Sequence, residues 1–130
     1  PAGLPPEAQV ALRAVTPIRG QIGFTPERLT AGVVRGRAAY LVPSGSGTLI
    51  GATMEEGAGD GPPSVEAAAA LLQAARALAP LRDDLRIEWR VGVRGSSPDG
   101  LPLAGEVAPG LFVALAPRRN GWLLGPAVAR

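Results

Sequence analysis

The chain has 130 residues, a length that suits one ordinary domain with a buried core. It contains neither cysteine nor histidine, which excludes thiol nucleophiles, disulfides, imidazole bases and the usual zinc ligands. All thirteen basic residues are arginines and eleven residues are acidic, so the net charge is only +2. Because the arginines are scattered and aromatic residues make up only 4% of the chain, nucleic acid is not an expected partner.

No apolar run approaches the ~20 residues of a membrane span, and no basic region precedes an apolar stretch near the first residue. We therefore expect a soluble, cytoplasmic protein with no membrane partner. The 18 glycines and 14 prolines follow no regular period, and we attribute them to biased genomic composition. The composition leaves homo-oligomer formation open.

The first third of the sequence predicts a short helix followed by extended structure. Pro5-Pro6-Glu7 is typical of a helix start, and Pro17 ends that helix. Residues 15–24 then favour a strand with glycines that suggest a bulge or a close backbone approach. Two β-favouring runs, residues 38–42 and 49–54, flank Pro43-Ser44-Gly45-Ser46-Gly47, a composition typical of a hairpin connection.

The middle of the chain predicts a covering helix. Ser64 is a suitable N-cap, Glu66 in the first turn complements the helix dipole, and Pro80 stops a helix that runs to about Ala79. Its apolar residues recur with a helical period and define a single stripe. Such a stripe must be buried against another element.

The last third predicts further strands. Apolar residues alternate with polar ones from Leu85 to Val93, which indicates a strand with one buried face that delivers Arg94 at its end. A turn at residues 96–100 follows, then a buried strand over residues 111–115 and another element that begins at Asn120-Gly121. The sequence therefore predicts an α+β fold with a mainly antiparallel sheet and one covering helix. We expect the hairpin and the strand with Arg94 to share that sheet.

Four stretches carry a resemblance by their order and spacing. They are PIRGQIG at residues 17–23, YLVPSGSGTLIGATME at 40–55, WRVGVRGSSPDGLPLAG at 89–105 and GLFVALAPRRNGWLLGPAVA at 110–129. Together they resemble the glycine oxidase and D-amino-acid oxidase family of FAD-dependent oxidoreductases, nearest the glycine oxidase type linked to thiamine biosynthesis. The resemblance implies a substrate-binding domain of the D-amino-acid oxidase fold over residues 1–105. Residues 106–130 would contribute a C-terminal strand and a helix start to the FAD-binding domain of a longer parent.

The resemblance covers only the later part of such an enzyme. Family members begin with a GxGxxG turn that binds the cofactor pyrophosphate at a helix N-terminus. The nearest glycine string here, Gly45-Ser46-Gly47, lies in the predicted hairpin and opens no helix. An N-terminal FAD-binding segment is therefore an expected partner, and the chain alone is expected to be inactive. We also expect exposed apolar surface, where that segment would pack, around Leu111, Val113, Leu123 and Leu124.

The family's chemistry is an oxidation of a small, glycine-like amino acid or amine to the imine, with hydride transfer to flavin and formation of peroxide. It requires positioning more than acid-base groups, so no catalytic acid or base is assigned. In the family's substrate site, Arg94 matches the arginine that clamps the carboxylate, and Tyr40 matches a tyrosine whose hydroxyl helps to hold it. Met54 matches a residue that lines the small pocket, and Arg119 matches an arginine whose side chain reaches the ligand. The residues that match its flavin contact are Arg119, Asn120, Gly121 and Trp122.

Each of these residues also has a plain structural interpretation. Arg94 fits a solvated strand end, and Tyr40 and Met54 fit core packing. A three-residue hairpin loop would put Tyr40 and Met54 on one sheet face, whereas a loop of even length would separate them. Other residues are assigned to structure: Asp99 to a turn, Glu55 and Glu56 to solvated loop charges, and Trp89 and Trp122 to core or flavin-edge packing.

The chain departs from the family pattern in two places. The family usually has Gly-His before an aromatic-Arg-Asn-Gly stretch, whereas this chain has Ala116-Pro117-Arg118-Arg119, and proline at position 117 removes an amide donor from any flavin contact there. Gly95 stands where a proline often follows the substrate arginine. Two other hypotheses stay open from the sequence: a cofactor-free amino-acid-binding module, and an inactive fragment.

Overall fold

A computed structural model of the protein describes residues 3–57, 59–116 and 121–128, apart from the side chain of Trp122. The chain forms two compact units. Unit 1 comprises Pro1–Ile18, Glu56–Ala58 and Val93–Arg130, and unit 2 comprises Arg19–Glu55 and Gly59–Gly92. No helix among the described residues is both long enough and apolar enough to cross a membrane.

Among the described residues, short helices precede, separate and follow two runs of strands. In chain order they are α1 (Pro6–Arg13), β1 (Thr16–Thr25), β2 (Val34–Arg35), β3 (Tyr40–Ser44), β4 (Gly47–Gly51), β5 (Glu55–Glu56), α2 (Val65–Arg76), β6 (Glu88–Ser96), β7 (Leu103–Ala108), β8 (Leu111–Leu115) and α3 (Gly121–Val128). The larger sheet has the strand order β2-β3-β4-β1-β5, and β6 also pairs with β1. The pairs β2–β3, β3–β4 and β4–β1 are antiparallel. The prediction of one mainly antiparallel sheet that holds both the hairpin and β6 is confirmed.

Helix α2 begins where its sequence predicts. The Ser64 hydroxyl accepts a hydrogen bond from the backbone N–H of Ala67 at 3.2 Å and donates one to the Glu66 carboxylate at 2.7 Å. The first of these bonds satisfies one of the backbone donors that a helix start leaves unpaired. The helix ends at Arg76, slightly before the predicted Ala79.

The core of unit 2 lies between α2 and the sheet. Leu41 of β3 and Ile50 of β4 are directly opposite each other and fully buried, and they form one cluster with Ala75 and Ala79. Partly buried apolar side chains surround the cluster: Leu29, Val34, Leu78, Leu81, Leu85 and Ile87. The apolar stripe of the helix therefore covers the apolar face of the hairpin, as predicted.

Strand β6 differs from its prediction. It begins at Glu88 and continues past Arg94 to Ser96, so Arg94 lies within the strand rather than at its end. Apolar residues alternate with exposed ones only in its first half, and Val93 is 45% exposed while Arg94 is half-buried. Gly92 and Val93 are both exposed, so the exposed and buried positions change places after Gly92. A sequence prediction that assumes strict alternation of side chains cannot anticipate this change.

In unit 1, β7 and β8 form a separate two-stranded antiparallel sheet. The prediction that β8 is a buried strand is wrong, because none of its five residues is buried and Phe112 is 69% exposed. A strand in a two-stranded sheet has a neighbour on one edge only and little cover. Of the apolar residues expected to be exposed, Leu123 is 79% exposed, whereas Leu111, Val113 and Leu124 are half-buried.

The capping bond of α2 gives a first prediction. Ser64→Ala should lower the free energy of unfolding by ~1 kcal/mol, because the N–H of Ala67 loses its acceptor. Urea unfolding followed by circular dichroism measures this change. Ser46→Ala, at an exposed hairpin position, is the matched control and should be neutral. Equal stability of the two variants would contradict the capping role.

Candidate functional site

Arg94 differs from every other described arginine. Ten of the thirteen arginines lie in the described residues, and eight of these ten are exposed. The two exceptions are Arg19, which is buried, and Arg94, which is half-buried. Arg94 makes no hydrogen bond or ion pair with any residue that the structure describes. It is thus the one described guanidinium that is both partly withdrawn from water and without a described partner.

The guanidinium of Arg19 is bound on both sides within unit 2. Its Nη1 donates to Glu55 Oε2 at 2.7 Å, and its Nη2 donates to the carbonyl of Pro62. The Arg19 side chain is 10% exposed and that of Glu55 35%. The interpretation of Glu55 as a solvated loop charge is therefore wrong, because Glu55 neutralises a buried cation.

Gln21 extends this polar network in the interior of unit 2. Its side chain is fully buried, and its amide pairs with the backbone of Ser64 in both directions: Nε2 donates to the carbonyl at 2.9 Å, and Oε1 accepts from the N–H at 2.7 Å. Its backbone N–H donates to Thr53 Oγ1 at 2.8 Å, and its carbonyl accepts from Thr53 N–H at 3.1 Å. The network joins β1 to the start of α2 and to the segment after β4.

Met54 lies between two anchored neighbours. Thr53 is bound to Gln21, its hydroxyl donates to Glu55 Oε1 at 2.9 Å, and Glu55 is bound to Arg19. Met54 itself is 46% exposed. An apolar side chain is thus held at the surface on a backbone that is fixed on both sides. Such an arrangement can form the wall of a pocket, and it does not match the alternative of core packing.

Tyr40 lies on β3 directly opposite Gly51 of β4. Its ring extends across the hairpin, so that a Cβ added at Gly51 would overlap Cζ and the hydroxyl oxygen. The residue is half-buried, and no described group forms a hydrogen bond with its hydroxyl. The hydroxyl is therefore available to a ligand.

The hairpin loop has the even length that was expected to separate Tyr40 from Met54. Ser44 pairs with Gly47, so the loop has two residues, the even case. Strand β4 ends at Gly51, three residues before Met54, so the face of Met54 is not set by the ladder. The two side chains belong to the same unit, whereas Arg94 belongs to the other unit.

Asp99 has the structural role expected from its turn. Its Oδ1 accepts from the N–H of Leu101 and from the Ser97 hydroxyl, both at 3.0 Å. These two bonds, the first being the stronger cause, lower the pKa of the Asp99 carboxyl. Gly100 follows with φ of +75°, a left-handed conformation that favours glycine. The carboxylate is occupied by its own turn, as predicted.

Close contacts explain the residue types at Gly95 and Trp89, and the backbone of Ala116 has an unusual conformation. A Cβ at Gly95 would lie 2.6 Å from Val15 Cγ1, so the departure from the family's proline matches a close contact. Trp89 packs over Gly23 of β1, where an added Cβ would lie 2.9 Å from its ring, which confirms a packing role for Trp89. Ala116 has φ of +55°, a strained conformation for alanine, just before the segment that matches the flavin contact.

Most residues of the predicted flavin contact lie wholly or in part outside the described residues. Arg119 and Asn120 lie outside the described residues, as does the side chain of Trp122, and Gly121 is the first residue of α3. The described part of the chain therefore supplies no geometry for the flavin.

Comparison with known proteins assigns the chain to a family. The model of the FAD dependent oxidoreductase family matches residues 2–130. The chain is 34% identical to glycine oxidase of Pseudomonas aeruginosa over 128 residues, covering 89% of this chain and 34% of that protein. It is 35% identical to the tRNA 5-methylaminomethyl-2-thiouridine biosynthesis bifunctional protein MnmC of a Caulobacter species, covering 87% of this chain and 20% of that protein.

The fold agrees with this assignment. The crystal structure of glycine oxidase from Bacillus cereus superposes with a TM-score of 0.76 at 26% identity, covering 86% of this chain and 33% of that one. The chain belongs to the FAD dependent oxidoreductase family. It spans about a third of the length of the glycine oxidases that it matches. The relatives carry more than one activity, so family membership alone does not select the substrate.

The Arg19–Glu55 pair gives a prediction for stability against pH. The hydrogen bond from Arg19, followed by that from Thr53, lowers the pKa of the Glu55 carboxyl in the folded protein. A lowered folded pKa contributes stability above the unfolded pKa that is lost as the pH falls through the folded pKa. Glu55→Gln should therefore flatten the acid side of the stability profile. At neutral pH it should cost about 1.5 kcal/mol, the lower end for a charged hydrogen bond, because Glu55 is partly exposed.

Urea unfolding between pH 3 and pH 7 is the measurement. Glu88→Gln is the matched control, because Glu88 pairs with Arg90 where both side chains are 60% exposed. It should change stability much less than Glu55→Gln at neutral pH. Identical profiles for the two variants would show that the Arg19–Glu55 pair does not stabilise the fold.

Proposed function

We propose that the chain is the substrate-side module of an FAD-dependent oxidoreductase that oxidises a small, glycine-like amino acid or amine to the imine. Membership of the family and the likeness to glycine oxidases support the class of reaction. The observation that carries the substrate class is the Arg94 guanidinium, half-buried and without a partner among the described residues.

The physical argument concerns the cost of withdrawing a cation from water. A partly buried guanidinium loses hydration that a protein normally replaces with acceptors, as the carboxylate and carbonyl do for Arg19. A substrate carboxylate would provide the replacement for Arg94 through two parallel hydrogen bonds. Lysine cannot offer this planar fork. The substrate would therefore be oriented as well as bound.

The remaining site residues assist this anchor in the proposal. The Tyr40 hydroxyl would donate a further hydrogen bond to the carboxylate, and Met54 would limit the space beside the α-carbon. Arg119 would reach the same ligand from the segment before α3. The likeness to glycine oxidases supports a glycine-like substrate. No residue is assigned as an acid or a base, because the work of this chain is positioning.

FAD is the cofactor of this proposal. A longer FAD-bearing protein, the parent, would hold it with an N-terminal segment together with Arg119, Asn120, Gly121 and Trp122 of this chain. The chemistry that FAD would supply, when bound, is the two-electron oxidation of the substrate at its α-carbon, with oxygen as the final electron acceptor and peroxide as its product. Residues 1–105 would then form the substrate-binding domain, and residues 106–130 would complete the FAD-binding domain. A cytoplasmic location remains a prediction from the sequence.

The role of Arg94 is tested by substitution in the flavin-loaded parent. Arg94→Ala should lower kcat/KM by about a hundredfold or more, because a partly desolvated bidentate pair is lost. Arg94→Lys should recover little of this loss, since an ammonium group lacks the fork. Amino-acid-dependent peroxide production is the measurement.

Arg86→Ala is the matched control, because Arg86 is exposed and has no partner among the described residues. It should leave kcat/KM unchanged. A wild-type kcat/KM in a correctly folded Arg94→Ala enzyme would show that Arg94 does not bind the substrate carboxylate. Arg119 or Arg118 would then be the candidate for that role.

A further inference from the structure

Gly51 is a buried glycine with no backbone reason to be one. Six described glycines have positive φ, and Gly51 is not among them. It lies at the end of a regular strand, in ladder register with Tyr40. Any residue could adopt its backbone conformation, so the requirement for glycine must come from its surroundings.

The surroundings of Gly51 are the phenol of Tyr40. The three heavy atoms nearest to an added Cβ are Cζ, the hydroxyl oxygen and Cε2 of that ring. Other glycines of the hairpin differ: Gly45 has no atom within 4 Å of an added Cβ, and Gly47 meets the backbone of Thr25 and Pro26. At Gly51 alone in this hairpin, the space that a side chain would fill is taken by an aromatic ring.

Because Gly51 has no side chain, there is room beside it for the Tyr40 hydroxyl. With hydrogen at position 51, the far end of the ring lies against Gly51, and the hydroxyl oxygen lies close to the backbone there. A methyl group at position 51 would push the far end of the phenol away from the sheet. Tyr40 could accommodate this by rotating its side chain, which would move the hydroxyl while leaving the ladder intact.

We propose that Gly51 is a positioning residue for substrate binding: its lack of a side chain holds the Tyr40 hydroxyl where it meets the substrate carboxylate. This inference rests on the proposed function of Tyr40. Gly51 thereby affects substrate affinity through the position of the Tyr40 hydroxyl group, and not through packing of the Tyr40 ring. A purely structural aromatic cover over a strand glycine would affect stability without affecting affinity.

The position of the ring can be measured in the 130-residue chain without flavin. Tyr40 is the only tyrosine of the chain, so incorporation of 3-fluorotyrosine gives a fluorine signal from this ring alone. Gly51→Ala should shift that signal clearly, and Gly45→Ala should leave it in place, because only the first substitution meets the ring. An unchanged signal in folded Gly51→Ala would overturn the proposal.

The effect on affinity is measured in the flavin-loaded parent by a double-mutant cycle. Gly51→Ala and Tyr40→Phe should each raise KM for the amino acid about tenfold, the effect of one lost hydrogen bond to a charged group, with kcat within about twofold. The two changes together should raise KM no further than either alone, because both remove the same bond. Gly45→Ala should keep the wild-type KM.

The outcomes separate this inference from the function on which it rests. If Tyr40→Phe leaves KM unchanged, the proposed role of Tyr40 fails, and with it this inference. If Tyr40→Phe raises KM but Gly51→Ala does not, or if their effects multiply, Gly51 is not a positioning residue while the proposed function stands. Should Gly51→Ala prevent folding, adding Tyr40→Ala should restore it by removing the ring. Failure of that rescue would also overturn the proposal.

Discussion

The buried amide of Gln21 is the constraint on which unit 2 depends. A fully buried amide must find partners for both its donor and its acceptor, and this one finds both on the backbone of Ser64. Because Ser64 also caps α2, the start of the covering helix is fixed relative to β1 by the same pair of bonds. The backbone of Gln21 holds Thr53 in turn, so the segment that carries Met54 is fixed by the same residue. The position of Met54 is thus set by a polar interior whose hydrogen bonds are satisfied.

Arg19 and Arg94 have different roles because only Arg19 has hydrogen-bond acceptors among the described residues. Arg19 is buried and has acceptors on Glu55 and Pro62, so its charge is used within the fold. Arg94 is half-buried and has no acceptor among the described residues. A charge that the fold stabilises is structural, whereas one that is partly desolvated and left open favours an anionic ligand. The contrast explains why a site can be proposed here without histidine or cysteine.

The elements that the sequence predicted well are those whose signals are local. The cap at Ser64, the apolar stripe of α2 and the hairpin composition each depend on neighbours along the chain, and each was confirmed. The failures depend on distant contacts. The reversal of β6 after Gly92, the exposure of Phe112 and the pairing of Glu55 with Arg19 follow from which strands and loops meet in space. The resemblance named Arg94 and Tyr40 as site residues, but no pattern in the sequence indicates that Gly51 lies under the Tyr40 ring.

A structure of the flavin-loaded parent with bound acetate or glycolate would show directly whether Arg94 anchors a substrate carboxylate. If Arg94 is the anchor, both carboxylate oxygens should lie at about 2.7–2.9 Å from its guanidinium nitrogens, in a bidentate pair. A carboxylate bound to Arg118 or Arg119, with the Arg94 guanidinium paired to a carboxylate of the protein itself, would show that Arg94 is not the anchor.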